Sequence, residues 1–182
     1  MHGPASSGWL LVALCAAAGA YCLLRMRSHV VEQRRAAGGE ALMGFGMAVM
    51  AVPAAVFTPP AWVWPALAVV FGAAGLHALW AARTGARHLH HLIGAGAMVY
   101  MAVTMAASAG QGHGHGGSGT PLLTGALLLY FVAYVLATGV RLVPVAAVAG
   151  GGRDGGWGDR PELARACRLS MGIAMVAMLL TT

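Results

Sequence analysis

Charged residues are scarce in this chain of 182 residues: they make up 9% of it, whereas roughly 25% is usual for a soluble domain. Hydrophobic residues make up 59%. Because so little polar surface cannot face water on all sides, we expect the chain to be solvated by a lipid bilayer. Its length suits six spans of about 20 residues with short connections, so we predict a single transmembrane helical bundle domain over residues 1–182.

Lysine is absent, and all eleven basic residues are arginines that lie between or beside apolar runs. Because they form no stripe on a soluble face, we expect no nucleic-acid partner. The three cysteines, Cys15, Cys22 and Cys167, lack the spacing of a zinc knuckle or a disulfide framework. A nucleophile elbow, a phosphate loop and a carboxylate pair within the spans are also missing, so we do not expect an enzyme.

Six apolar runs predict six transmembrane helices. The predicted spans are residues 8–24, 41–57, 61–82, 92–109, 122–140 and 163–182. The last apolar run, Leu169 to Leu180, is short, so that span requires Arg165 and Arg168 to reach the interface by snorkelling. The predicted fold class is therefore all-α, a polytopic membrane helical bundle.

The arginines predict how the bundle is oriented. They follow the first, third and fifth predicted spans: Arg25, Arg27, Arg34, Arg35, Arg83, Arg87, Arg141, Arg153, Arg160, Arg165 and Arg168. Cytoplasmic loops concentrate basic residues, so these three connections are predicted to be cytoplasmic. Both termini are then predicted on the outer side of a bacterial cytoplasmic (inner) membrane.

Nine of the eleven methionines form three stripes with helical spacing. At roughly 100° per residue, the members of one stripe fall within about 60° of each other on a helix. The stripes are Met43, Met47 and Met50 in the second span, Met98, Met101 and Met105 in the fourth, and Met171, Met175 and Met178 in the sixth. Each stripe is therefore predicted to share one helix face.

Ionisable side chains accompany these stripes. Glu40 precedes the stripe of the second span, His91 precedes that of the fourth, and His77 lies in the inner third of the third span. An ionisable group within a span is costly and is a functional candidate. Copper(I) is soft and prefers thioether, thiolate and imidazole ligands. We therefore predict a membrane protein that binds or handles copper(I) through the nine stripe methionines, His77 and His91.

The same residues are also compatible with two functions that involve no copper. Methionine fills irregular gaps between packed helices, and Gly44, Gly46, Gly94 and Gly96 suit close helix contacts. A non-catalytic membrane scaffold or accessory subunit, with a membrane protein partner or as a homo-oligomer, would use them in that way. His77 and His91 could alternatively be axial ligands of a b-type haem in an electron carrier.

Three more polar features carry predictions. Glu40 could be a proton carrier or a ligand, and the favoured interpretation is a charge at a helix N-terminus, stabilised by the helix dipole. Arg168 is predicted to pair with Glu40 across the cytoplasmic edge. His113 and His115, in a Gly-rich outer connection, could collect metal ions.

Three sequence strings resemble a known family. They are EALMGFGMAVM from Glu40 to Met50, HHLIGAGAMVYMA from His90 to Ala102 and CRLSMGIAMVAMLL from Cys167 to Leu180, with TGALLLYF from Thr124 to Phe131 in addition. The chain resembles an actinobacterial membrane family classed as a domain of unknown function, number 5134. The resemblance implies a multi-pass membrane protein and carries no activity, so the predicted ligands rest on the stripes and histidines alone.

Overall fold

A computed structural model of the chain describes residues 4–27, 31–53, 56–82, 89–110, 120–148 and 161–181. These residues form six helices and no strand: α1 (Pro4–Arg25), α2 (Val31–Met50), α3 (Val63–Ala82), α4 (Leu89–Gly110), α5 (Pro121–Val148) and α6 (Pro161–Leu179). The predicted all-α class is confirmed.

Prolines mark several helix ends. Helices α1, α5 and α6 begin at Pro4, Pro121 and Pro161, where the missing proline N–H would have no helical partner in any case. At the start of α5 the carbonyl of Thr120 accepts hydrogen bonds from the amides of Leu123 and Thr124. The starts of these three helices lie within four residues of the starts of the predicted spans, whereas α5 ends eight residues beyond residue 140, the predicted end of its span.

Helix α2 differs from the predicted second span, residues 41–57. It covers Val31–Met50, so it begins ten residues earlier and ends before Pro53, whose ring disfavours helical backbone in the residue before it. Glu40 therefore lies in the middle of a helix. The interpretation of Glu40 as a charge at a helix N-terminus is wrong, because α2 begins more than two turns before it.

Four of the described helices contain segments long and apolar enough to cross a membrane: Gly8–Arg25, Val63–Trp80, Leu89–Ser108 and Pro121–Arg141. Only 6% of the segment in α5 and 11% of that in α3 is buried by protein, which suits contact with lipid. Helices α2 and α6 carry more charge. The helical membrane bundle is thus supported, while the count of six spans and the position of the termini stay predictions.

The described helices divide into two compact units. The first unit contains α1, α2, α6 and the part of α5 from Leu128 onward. Within it α1 packs along α2, and α6 contacts both. Helices α1 and α2 approach each other closely at two glycines: a Cβ added to Gly44 would lie 2.9 Å from Cα of Gly19. Backbone therefore meets backbone where these helices cross.

The second unit contains α3, α4 and the beginning of α5, up to Leu127. Helix α3 packs along α4, and a Cβ added to Gly75 would lie 3.4 Å from the Cβ of Ala95. The hydroxyls of Tyr100 and Thr124 are 2.6 Å apart and share a hydrogen bond, which joins α4 to the first turns of α5. Phe71, Met98 and Met101 are buried in this unit.

Adding one methyl group at Gly44 tests the contact between α1 and α2. We expect Gly44→Ala to lower the free energy of unfolding by about 1–3 kcal/mol, because the new Cβ would meet backbone atoms that cannot rotate away. Gly96→Ala is the matched control, since no atom lies within 4 Å of its added Cβ. There we expect no loss and a gain of up to about 1 kcal/mol in helix propensity. Thermal unfolding followed by circular dichroism in one detergent compares the two; equal midpoints would contradict the close contact.

Candidate functional site

A buried carboxylate joins three helices of the first unit. Oε2 of Glu40, on α2, accepts a hydrogen bond from Nη1 of Arg25, on α1, at 2.8 Å. Oε1 accepts one from Nε of Arg168, on α6, at 2.6 Å. The predicted pair of Glu40 with Arg168 is confirmed, and Arg25 joins it from a third helix.

The two ion pairs differ in their exposure to solvent. The side chains of Arg25 and Glu40 are only 6% and 4% exposed, whereas that of Arg168 is 40% exposed. A buried charge without a partner is strongly destabilising, so each of the two buried groups depends on the other. Because two guanidinium groups face one carboxylate, the three side chains together carry one surplus positive charge.

One cysteine lies at this carboxylate. The thiol of Cys22, on α1, donates a hydrogen bond to Oε2 of Glu40 at 3.6 Å. We call Cys22, Arg25, Glu40 and Arg168 the Glu40 cluster. It places a soft sulfur donor beside a surplus positive charge.

A set of buried sulfur atoms shares the first unit with the Glu40 cluster. Helices α1, α2 and α6 bury seven sulfur-containing side chains to 6% exposure or less: Cys15, Cys22, Met47, Met50, Met171, Met175 and Met178. Met43, the first residue of its stripe, is half-buried. We call the seven buried side chains, which do not include Met43, the sulfur core. Helical spacing predicted that each stripe shares one helix face; it did not predict that the stripes of α2 and α6 are buried, or that the cysteines of α1 are buried in the same unit.

The third methionine stripe and both candidate histidines belong to the second unit. Met98 and Met101 are fully buried, and Met105 is half-buried. The side chain of His77 is exposed, and His91 is half-buried with its ring centroid 6.0 Å from that of His90.

The described residues contain no group of three or more His, Cys, Asp or Glu side chains arranged to hold a metal ion. Methionine lies outside that set, so the predicted methionine ligands are untested. His113 and His115 lie outside the described residues. The first unit is therefore the candidate site, because buried sulfur-containing side chains and an ion-pair network occur together in it.

Sequence reasoning missed Arg25 and Cys22 as members of a site. Arg25 ends an apolar run, which favours a place in a cytoplasmic connection, and Cys22 has the pattern of a small buried thiol. One signal was available, since Cys22 and Arg25 are three residues apart and so share a face of α1. This shared face indicates a site only once α2, the helix that carries Glu40, is known to pack against it.

Neutralising the centre of the ion-pair network and neutralising its more exposed end should lower stability by different amounts. We expect Glu40→Gln to lower the free energy of unfolding by about 3–5 kcal/mol, because it leaves the buried guanidinium of Arg25 without a counter-charge. Arg168→Gln should cost about 1 kcal/mol or less, because that side chain is partly exposed and Arg25 still pairs with Glu40. Thermal unfolding of the purified variants measures both, and equal losses would argue against Arg25 as the main partner.

The comparison with known proteins gives a family and no activity. The family model described as Domain of unknown function (DUF5134) matches residues 32–182, from the second residue of α2 through α6. The match includes Glu40, Cys167 and Arg168, whereas Cys22 and Arg25 precede it. No curated protein and no solved structure is similar enough to the chain to count as a match. Because the family match extends over most of the chain, the protein belongs to the DUF5134 family.

Proposed function

We propose that this chain is a non-enzymatic protein of the bacterial cytoplasmic membrane that binds copper(I) and hands it on. The observation that carries the proposal is the sulfur core, in which thiols from α1 lie in one unit with thioethers from α2 and α6. Thiols and thioethers are the protein ligands that a soft monovalent ion prefers. The ion is cargo in this proposal, not a catalytic cofactor.

The chemistry of the core favours copper(I) over the common hard cations. Magnesium and calcium require several oxygen ligands, and the only carboxylate of the Glu40 cluster is already held by two arginines. Thioethers are neutral, so each bound ion is held loosely enough to exchange with a neighbouring site. Exchange between adjacent weak sites is what passage through a membrane requires.

The competing hypothesis is that the methionines only pack, in a membrane scaffold or accessory subunit. Methionine is flexible and fills irregular gaps, and Met98 and Met101 of the stripe on α4 are also fully buried. Substitution by leucine separates the two hypotheses, because it keeps volume and apolar character while removing the sulfur. A haem carrier would need axial ligands, and the exposed position of His77 gives that alternative less support.

We expect the purified chain, offered copper(I) under reducing conditions in mild detergent, to retain copper. The double variant Met47→Leu/Met175→Leu should bind copper roughly tenfold more weakly or worse, a change of about 1.4 kcal/mol, because two buried thioethers of the sulfur core are lost. The matched control is Met98→Leu/Met101→Leu, which removes two equally buried thioethers from the second unit. Elemental analysis for copper, iron and zinc, with a competing chelator, gives the occupancy and the relative affinity.

Each outcome of that experiment points to one hypothesis. Loss in the first variant and retention in the control supports a site in the first unit, and the reverse moves the site to α4. Wild-type chain that takes up no copper refutes the proposal and leaves the packing scaffold. Iron accompanied by a Soret absorption band would favour the haem carrier instead.

A further inference from the structure

We infer that Arg168, with Arg165 beside it on α6, binds the phosphate of an anionic phospholipid at the predicted cytoplasmic edge of the bundle. The lipid would be a bound partner of the folded chain and not a substrate. Its binding is independent of the proposed copper binding, because it depends on the charge of the Glu40 cluster and on the apolar surface of α5 next to it.

The Glu40 cluster contains one more positive charge than its own carboxylate neutralises. Arg25 and Arg168 both pair with Glu40, at 2.8 Å and 2.6 Å. The side chains of Arg25 and Glu40 are almost fully buried, whereas that of Arg168 is 40% exposed. An uncompensated charge is costly within a membrane. The cluster is therefore expected to attract an anion, and Arg168 is the charged member that an anion can reach.

The hydrogen bond of Arg168 leaves donors for such an anion. Within the part of the chain that the structure describes, Arg168 bonds Oε1 of Glu40 through Nε. Its guanidinium group has further N–H donors on Nη1 and Nη2, in a planar arrangement that matches the oxygens of a phosphate. Arg165 is exposed and lies three residues earlier, on the same side of α6. Two guanidinium groups can thus face one phosphate.

Apolar surface next to Arg168 favours a lipid over a soluble anion. Gly172 lies one turn after Arg168, and a Cβ added to it would be 2.9 Å from Cγ2 of Val135, so α5 is adjacent to this part of α6. Helix α5 exposes a row of large aliphatic side chains on one face. They are Leu129, Leu136 and Val140, which are 72%, 63% and 72% exposed. This face suits the acyl chains of a lipid whose phosphate reaches Arg168.

The charge of the cluster also predicts which headgroup is preferred. Phosphatidylglycerol carries one negative charge, which equals the surplus positive charge of Arg25, Glu40 and Arg168 taken together. Phosphatidylcholine has the same phosphate, but its choline cation makes the headgroup neutral overall. Basic pockets between helices on the cytoplasmic side are a known place for anionic headgroups. The site is therefore expected to select anionic over zwitterionic phospholipids.

The test titrates the full chain, in mild detergent, with phosphatidylglycerol and separately with phosphatidylcholine, and counts bound lipids by native mass spectrometry. We expect the wild type to prefer phosphatidylglycerol by about fivefold or more. Arg168→Gln should weaken phosphatidylglycerol binding about fivefold or more, the change that corresponds to about 1 kcal/mol for one arginine at an anionic headgroup. Arg168→Lys retains the charge without the planar donors, so it should lose less. Gel filtration confirms that each variant remains folded.

An arginine outside the cluster provides the matched control. Arg34 is exposed on α2 and forms no part of the Glu40 cluster. The titrations are repeated at about 1 M salt, where the screening length of about 3 Å suppresses diffuse attraction between exposed charges. Under that condition Arg34→Gln should change the affinity less than about twofold, whereas the loss in Arg168→Gln should persist, because partly buried charges are screened less. Arg165→Gln should have a smaller effect than Arg168→Gln, because Arg165 is more exposed.

Three results would overturn the inference. Equal losses in Arg34→Gln and Arg168→Gln at high salt would leave only diffuse attraction to the membrane surface. Equal affinity of the wild type for the two lipids would contradict selection by charge. Displacement of phosphatidylglycerol by inorganic phosphate at the same concentration would indicate a site for a soluble anion. None of these measurements requires copper, so lipid binding and the proposed function can fail separately.

Discussion

The first unit is organised around the carboxylate of Glu40, which lies in the middle of α2 and is almost fully buried. Such a group cannot be left without a counter-charge in a protein interior. Arg25 supplies that charge from the end of α1, and Arg168 supplies a second one from α6. Both guanidinium groups must reach one carboxylate, so the two ion pairs determine how α1, α2 and α6 are positioned along their axes relative to one another. The thiol of Cys22, on α1, donates a hydrogen bond to the same carboxylate.

The sulfur core can stabilise the fold and bind an ion with the same atoms. Thioethers contribute apolar surface and adapt to irregular gaps, so a core rich in methionine packs well when empty. They also retain sulfur lone pairs that a soft ion can use. The two units differ in the residues that are buried together with their methionines. In the first unit they share the interior with two cysteines of α1 and a charged cluster, whereas α4 buries Met98 and Met101 without a cysteine in that unit.

Local features of the sequence predicted most of the fold. Apolar runs predicted the positions of α1, α3 and α4 and the start of α5 closely, because the length of a span and its hydropathy are properties of a continuous segment. The predicted position of α2 is wrong. A charged residue that precedes an apolar run is typical of the start of a span, but Glu40 lies in the middle of the helix. Methionine spacing predicted that the members of each stripe share one helix face, because helix periodicity is also local. Whether that face is buried depends on the neighbouring helices and does not follow from the spacing.

The candidate site was harder to predict because it depends on contacts between segments far apart in the chain. The pairing of Glu40 with Arg168 was predicted from opposite charge at the same membrane edge, and it spans 128 residues. Arg25 and Cys22 required knowledge that α1 lies against α2 at Gly19 and Gly44, which no local pattern in one sequence reveals. The separation of the helices into two units is likewise a property of packing and not of any single segment.

The contact between Gly19 and Gly44 also limits which residues the two helices can carry where they meet. The three atoms nearest to a Cβ added at Gly44 are backbone atoms of α1, which cannot rotate away. Helix α6 meets α5 differently, because the atoms nearest to a Cβ added at Gly172 belong to the side chains of Val135 and Tyr134. A larger residue at Gly172 can therefore be accommodated by a smaller side chain on α5, whereas a larger residue at Gly44 requires α1 and α2 to move apart.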